Sequence, residues 1–419
     1  MPTPSAALML AGLIAARGVC FAGVVACCYL IDAQHHEREE AVMALRVAIA
    51  QPVLQWALAR IRMSQDELEA KQDFRALPQW LSGEKQPTLK QAEKLAGLAG
   101  VPFGYLLLDQ PVDDTPALPD FRTTGSHQLR QISPELEQTI INCEGRLRWY
   151  TDYQFFLGEA PPELVHRFSL ADAPAAAVEY FLENTEWNSG PQQGRDVRTA
   201  LSHAMEDLGL LVMRTAIVDN NTSRKLDVAE FRGFTVLDRG FALVFVNGAD
   251  AKAGQYFSLA HELGHVLLGK PGVSGERNDH QKIERWCNQF AAELLLPRPA
   301  LTEIWAQSTS LEDACDRASK RFGVSAEVTI WSLVDTHLVS RSEASDFLRS
   351  RPDRPVNTAP SGGGDYYRAI NSRLGARFVE SITGALLDGD IDDVEASRQL
   401  GIAKTATLDA LVGRVQGVA

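Results

Sequence analysis

The feature that most constrains this chain is the run FSLAHELGHVLLG at residues 257–269, which holds His261-Glu262-Leu263-Gly264-His265. On a helix, residues four apart share a face, so both imidazoles can point at one metal ion while Glu262 points to its side, near a metal-bound water. A surface helix can carry the same letters by chance, with two His on a polar face. Here the rest of the run is apolar (Phe257, Leu259, Ala260, Leu263, Val266, Leu267, Leu268), so the His side chains sit beside a buried face where unpaired polar groups are costly. Gly264 lets another backbone approach the motif, and Gly269 and Pro271 stop the helix.

A tetrahedral Zn²⁺ with three protein ligands keeps its fourth position for water, lowers that water's pKa towards ~7 and polarises a carbonyl. A third ligand must therefore come from elsewhere. GVSGERNDHQ (272–281) reads as a polar loop, and IERWCNQFAAELLLP as a second helix ended by Pro297. Glu284 opens that helix, with Asn288 one turn further on, and a carboxylate projecting from it completes a two-His-one-Glu set. Glu276, Asp279, His280 and Glu293 compete for the role. The first three lie in the loop and are less rigidly placed, while Glu293 lies in the apolar second half of the helix.

The succession LVFVN, FSLAHELGH and E-x-x-x-N-x-F-A-A-E-L-L-x-P resembles the ImmA/IrrE family of zinc metallopeptidases, most closely over about residues 240–300. The resemblance implies an α+β zincin-like domain with a small sheet and the HExxH helix. It places one Zn²⁺ on His261, His265 and Glu284, with Glu262 as general base. It further implies a protein substrate, a DNA-binding repressor or antitoxin, and a part in a stress response or the release of a mobile element. No Tyr or His that would stabilise the oxyanion can be assigned from spacing.

Upstream, residues 43–109 read as a bundle of short helices. Val47, Leu54, Leu58 and Ile61 recur at helical spacing, Ser64 and Glu67 form a capping box opening SQDELEAK, and a short helix carries Leu77, Trp80 and Leu81. Gly83 makes a turn, Pro87-Thr88 opens KQAEKLAGLAG, and Pro102 starts a fifth helix. The order resembles the phage-repressor-like (XRE-type) helix-turn-helix family, which implies DNA contacts at Arg75, Gln79, Lys85 and Lys90. Eight Lys/Arg against seven Asp/Glu in this stretch leave room for a bundle that binds protein instead.

Residues 110–126 form a linker with three Pro and three Asp, and the peptidase domain is expected over 127–350. Its helices are expected at Pro134 to Leu157, Pro162 to Leu182 and Asp196 to Leu208. Strands LLVMR, FRGFTVLD and FALVFVN follow, the last two joined through Asp238-Arg239-Gly240. A Pro/Gly-rich linker (351–365) precedes a helical C-terminal subdomain (366–419), in which Tyr366 and Tyr367 are candidates to close over the cleft. The fold class is thus multidomain and mostly α.

A net charge of -13 and a pI near 5.2 argue against bulk coating of nucleic acid, so any DNA contact is local. Of the six Cys, Cys20, Cys27 and Cys28 crowd one apolar stretch and Cys143, Cys287 and Cys315 are scattered, so they form no disulfide framework, which fits a reducing, cytoplasmic compartment. The apolar stretch Ala6 to Ile31 carries a single charge, Arg17, and lacks the basic start of a secretory signal. Arg17 is costly for a membrane span, so residues 1–42 read as an extension ahead of a working protein that starts at Met43, and a membrane segment is the alternative. The whole reads as a zinc endopeptidase that cleaves a repressor or antitoxin. The alternative is a helix-turn-helix regulator whose metal site is structural or sensory.

Overall fold

The computed structural model describes residues 45–61, 63–99, 101, 103–111, 132–190, 196–270, 277–351 and 366–415, with the backbone alone for 277–280. The readings of residues 1–42 and of the 351–365 linker, and most of that of 110–126, fall outside these. The chain divides into two compact units, Met1–Asp113 and Asp114–Ala419.

The first unit is helical, with α1 (Gln51–Ala59), α2 (Gln65–Glu69), α3 (Leu77–Leu81) and α4 (Leu89–Ala99), and 3-10 turns at Gln72–Phe74 and Phe103–Leu107. Ser64 and Glu67 form the capping box of α2, satisfying two end amides reciprocally. Thr88 and Gln91 exchange the same pair of bonds at the start of α4. Val53, Leu54, Leu77, Trp80 and Leu95 are buried together, and the Trp80 ring meets Phe74 edge-on at 5.9 Å. The element expected after Pro102 is a 3-10 turn instead of a helix. Arg75, Gln79, Lys85 and Lys90 are all exposed. Arg75 follows the first 3-10 turn, Gln79 lies on α3, Lys85 in the following turn and Lys90 at the start of α4.

The second unit opens with α5 (Pro134–Phe156), α6 (Pro174–Glu183) and α7 (Val197–Asp207). Five strands follow: β1 (Leu211–Thr215), β2 (Ile217–Val218), β3 (Asn221–Lys225), β4 (Gly233–Asp238) and β5 (Phe241–Asn247). Then come α8 (Lys252–Leu268), α9 (Arg277–Leu295), α10 (Arg298–Gln307), α11 (Leu311–Phe322), α12 (Ala326–Asp335) and α13 (Arg341–Ser350). The last four helices are α14 (Tyr366–Leu374), α15 (Ala376–Asp388), α16 (Asp393–Leu400) and α17 (Thr405–Val415). β5 lies central in the order β1-β5-β4, parallel to β1 and antiparallel to β4, while β2 and β3 form a separate pair. Arg239 and Gly240, both at positive φ (46° and 89°), make the two-residue turn whose twist suits a hairpin.

Every residue of β5 is buried, so its alternation creates two apolar faces. Ala242, Val244 and Val246 pack with residues of α6 to α9. Phe241, Leu243 and Phe245 pack with α5 and with Ile370, Leu374 and Phe378 of α14 and α15. The C-terminal helices therefore complete the sheet's second core. Tyr367 belongs to that core, with the Arg414 guanidinium 3.9 Å over its ring, and Tyr366 stacks edge-on against it. No helix among the described residues is long and apolar enough to cross a membrane.

Glu206 of α7 ties these halves together. Its carboxylate accepts from the Arg377 amide (3.2 Å), and Arg377 in turn donates to the Glu206 carbonyl (3.0 Å) and to the Tyr150 hydroxyl (2.7 Å). Burial pushes this carboxyl up to about 7, against the opposing pull of the Arg377 and Ala376 amides. As pH rises from the ordinary carboxylate range, the unfolded chain releases this proton first. The stability it contributes is therefore complete in acid and lost by about pH 7. Glu206→Gln should flatten the fall in melting temperature between about pH 5 and pH 8 and melt no lower than wild type at the upper end. A wild-type-minus-variant difference that does not change with pH, in parallel thermal melts, would contradict this.

Candidate metal centre

The motif helix α8 is fixed at its end and at its middle. Its last carbonyls on Val266 and Leu267 accept from the amides of His166 and Phe168, each at 3.0 Å. Gly269 turns the chain out at φ 60°, and a Cβ there would overlap the His166 side chain. This corrects the helix expected over 162–182, which begins only at Pro174. His166 and Phe168 spend their amides on the end of α8, those of Val165 and Arg167 turn back to the Pro162 and Leu164 carbonyls, and His166 itself adopts φ 59°. At the middle, a Cβ on Gly264 would lie 3.2 Å from Cys287 Cα, so the bare glycine sets the close approach of α8 to α9. Trp286 stacks on Phe290 of the same helix at 5.7 Å and anchors α9 by donating its indole N–H to the Asp172 carbonyl at 2.8 Å.

Helix α9 starts at Arg277, earlier than expected, because RNDHQK contains no Gly or Pro to stop it. Glu284 therefore sits within the helix. Its carboxylate reaches both imidazoles: Oε2 lies 3.3 Å from His261 Nε2, Oε1 lies 3.3 Å from His265 Nε2, and the two Nε2 atoms are 3.2 Å apart. A tetrahedral ion with bonds of ~2.0–2.2 Å separates its ligand atoms by ~3.3–3.6 Å, so these spacings are close to those between the ligands of a zinc site. Among the described residues, no other trio of His, Cys, Asp or Glu converges in this way.

The tautomers agree with the size. His265 Nδ1 is 2.9 Å from the Lys270 carbonyl, which can only accept, so this nitrogen carries the proton and Nε2 presents a lone pair. His261 Nδ1 is 3.0 Å from Asn288 Oδ1 and is oriented in the same sense. Two lone pairs and a carboxylate facing one another at these distances repel unless a cation or proton lies between them. The protonation balance reflects that demand. Burial works against charge on His265, but Cys287, Glu284 and Glu262 outweigh it and hold the imidazole well above its usual range. Burial likewise opposes ionisation of Glu284, and bonds from His261 and His265 overcome it and hold the carboxyl well below its usual range. The donor set fits a divalent cation.

Glu262 turns the other way, towards β4. The Thr235 hydroxyl lies 2.9 Å from Glu262 Oε2 and 3.1 Å from the Glu262 carbonyl. A Cβ on Gly233 would come within 3.1 Å of Glu262 Cγ and Oε1. Sequence reasoning passed over both residues. Their signal is a Gly and a Thr on one side of a strand whose other side carries Phe234 and Val236. Of the competing ligands, Glu293 pairs with Arg298 at 3.4 Å, Glu276 lies outside the described residues, and Asp279 and His280 have backbone positions alone.

Residues 205–331, which span the sheet, α8 and α9, match the family model described as the IrrE N-terminal-like domain, Peptidase_M78. The radiation response metalloprotease IrrE of Deinococcus radiodurans is 32% identical over 101 residues, covering 22% of this chain and 31% of that protein. The match thus spans less than a third of that relative's length. This chain is similar there to a metallopeptidase, which implies a divalent metal.

Purified protein should carry about one zinc per chain, lost in His261→Ala and His265→Ala and weakened in Glu284→Ala, while Glu293→Ala retains it. Atomic emission on dialysed samples reads this directly. Undiminished zinc in the His variants would put the metal elsewhere.

Proposed function

We propose that the chain is a zinc-dependent endopeptidase that cleaves a DNA-binding repressor or antitoxin and so regulates gene expression in the cytoplasm. One observation carries the catalytic part. His261, His265 and Glu284 converge at zinc-like spacings, while the one carboxylate of the motif that does not join them, Glu262, is next in sequence to His261 and buried at 7% exposure. A purely structural site has no use for that second carboxylate. When bound, zinc supplies Lewis acidity towards a peptide carbonyl and towards water. Glu262 takes a proton from the attacking water as the new C–O bond forms, then delivers it to the amine nitrogen as the C–N bond breaks. Burial of Glu262 and His265 keeps bulk water from competing for that proton.

The regulatory part rests on the first unit. Its capped short helices, with Arg75, Gln79, Lys85 and Lys90 exposed, suit recognition of DNA or of the repressor bound there. The relative named for the radiation response supports a stress-linked role. The three described cysteines, Cys143, Cys287 and Cys315, are free and buried, as suits a reducing compartment.

The test separates hydrolysis from metal sensing. Glu262→Gln keeps the shape and zinc content but cannot take the proton, so cleavage should fall by roughly 10² or more. The assay uses an internally quenched peptide library and any repressor encoded beside the gene, at matched zinc. Equal cleavage by variant and wild type, or no cleavage by the zinc-loaded wild type, overturns the endopeptidase reading and favours a regulator with a sensory metal site.

A further inference from the structure

Thr235 has no role in zinc coordination, yet it is completely buried and spends its hydroxyl on the motif's remaining carboxylate. A hydroxyl has a single proton to give. Two acceptors compete for it, the Glu262 carbonyl at 3.1 Å and Oε2 at 2.9 Å, and the side-chain oxygen is the nearer. Gly233, two residues earlier on the same side of β4, leaves the space that Oε1 and Cγ occupy. A methyl group there would press on both atoms at 3.1 Å and on the Phe245 carbonyl at 3.0 Å, a contact with little room to give.

We propose that Thr235 is a positioning residue that fixes the orientation of the Glu262 carboxylate by holding Oε2, and that Gly233 leaves the space in which the other oxygen works. The inference rests on the endopeptidase reading. With Oε2 engaged by the Thr235 hydroxyl, the water's O–H bond breaks as Oε1–H forms, and Oε1–H breaks as the leaving nitrogen gains its N–H. The strand thus acts on catalysis through the general base, without touching substrate or metal.

Three variants test this. Thr235→Val keeps the shape and removes the donor; Thr235→Ser keeps the donor and removes a methyl; Gly233→Ala fills the space. Thr235→Val and Gly233→Ala are expected to retain one zinc per chain and an unchanged KM on the best-cleaved library peptide while kcat falls about 10-fold or more. Thr235→Ser is expected to restore kcat to within about threefold, since a hydrogen bond to a charged group is what it regains. An independent readout needs no substrate. The carboxylate stretch of Glu262, isolated as the infrared difference between each protein and its Glu262→Gln counterpart, should shift in Thr235→Val and stay in place in Thr235→Ser. If Thr235→Val does not fold, Thr235→Ala replaces it with the same expectations.

Wild-type kcat in Thr235→Val, or equal impairment in Thr235→Val and Thr235→Ser, overturns the proposal, because the methyl and not the hydroxyl would then matter. An unshifted carboxylate band overturns it as well. Activity retained in Glu262→Gln is a different failure, of the hydrolytic reading itself, and the two are told apart by the variant in which activity survives.

Discussion

Two imidazole nitrogens 3.2 Å apart, each facing one oxygen of the same carboxylate at 3.3 Å, are the arrangement on which the rest of the second unit depends. Without a cation the group repels itself, so the fold must oppose that repulsion until metal or proton relieves it. The opposition comes from packing around the site. Leu259, Ala260, Leu263, Val266 and Leu267 bury the far side of α8, and Trp286, Phe290, Ala291 and Leu294 bury that of α9. At ~1.5–3 kcal/mol for each large side chain, a few such residues offset the strain, and Gly264 lets the two helices come close enough for Glu284 to reach.

A second constraint is a short strap, residues 161–168, laid across three glycines. Pro161 covers Gly240 in the β4–β5 turn, Pro162 covers Gly209 between α7 and β1, and His166 covers Gly269 at the end of α8. All three glycines have positive φ (89°, 94° and 60°), so a side chain at any of them meets backbone strain and a collision together. The strap therefore couples the end of the motif helix to the hairpin that contains Thr235. It achieves this through backbone amides and proline rings, with no dependence on the charge state of the site.

These features differ in how far the sequence displays them. His261, Glu262 and His265 are legible because their relation is set by one helical turn, and Glu284 because it lies on the next helix with only a loop between. The Ser64–Glu67 capping box and the β4–β5 turn are legible for the same reason, each being a local contact. Thr235 is not, since its partnership with Glu262 spans 27 residues and depends on the pairing of β4 with β5. The strap is illegible for a related reason. VHRFSL has no helix breaker of its own and is kept from helix by acceptors that exist only once α8 has formed. The C-terminal helices read as a subdomain in the sequence because amphipathic spacing shows that a face must be covered without showing what covers it. The second apolar face of β5 is the missing information.

Two carboxylates on successive helices, Glu262 of α8 and Glu284 of α9, end with different tasks, and residue type does not distinguish them. Glu284 faces two imidazoles whose Nδ1 protons are held by Asn288 and the Lys270 carbonyl, so both of its oxygens are directed at the place where a cation is shared. Glu262 faces a strand that offers one hydroxyl and one missing side chain, which engages Oε2 and leaves Oε1 room beside Gly233. On the proposed reading, the first surrounding makes a ligand and the second makes a base. Exchanging these tasks would require moving the hydroxyl donor and the imidazoles, because a carboxylate surrounded by converging lone pairs is drawn into coordination whatever its place in the motif. The specificity of each role therefore resides in β4 and in the two outer partners of the His residues, more than in the four side chains of the motif itself.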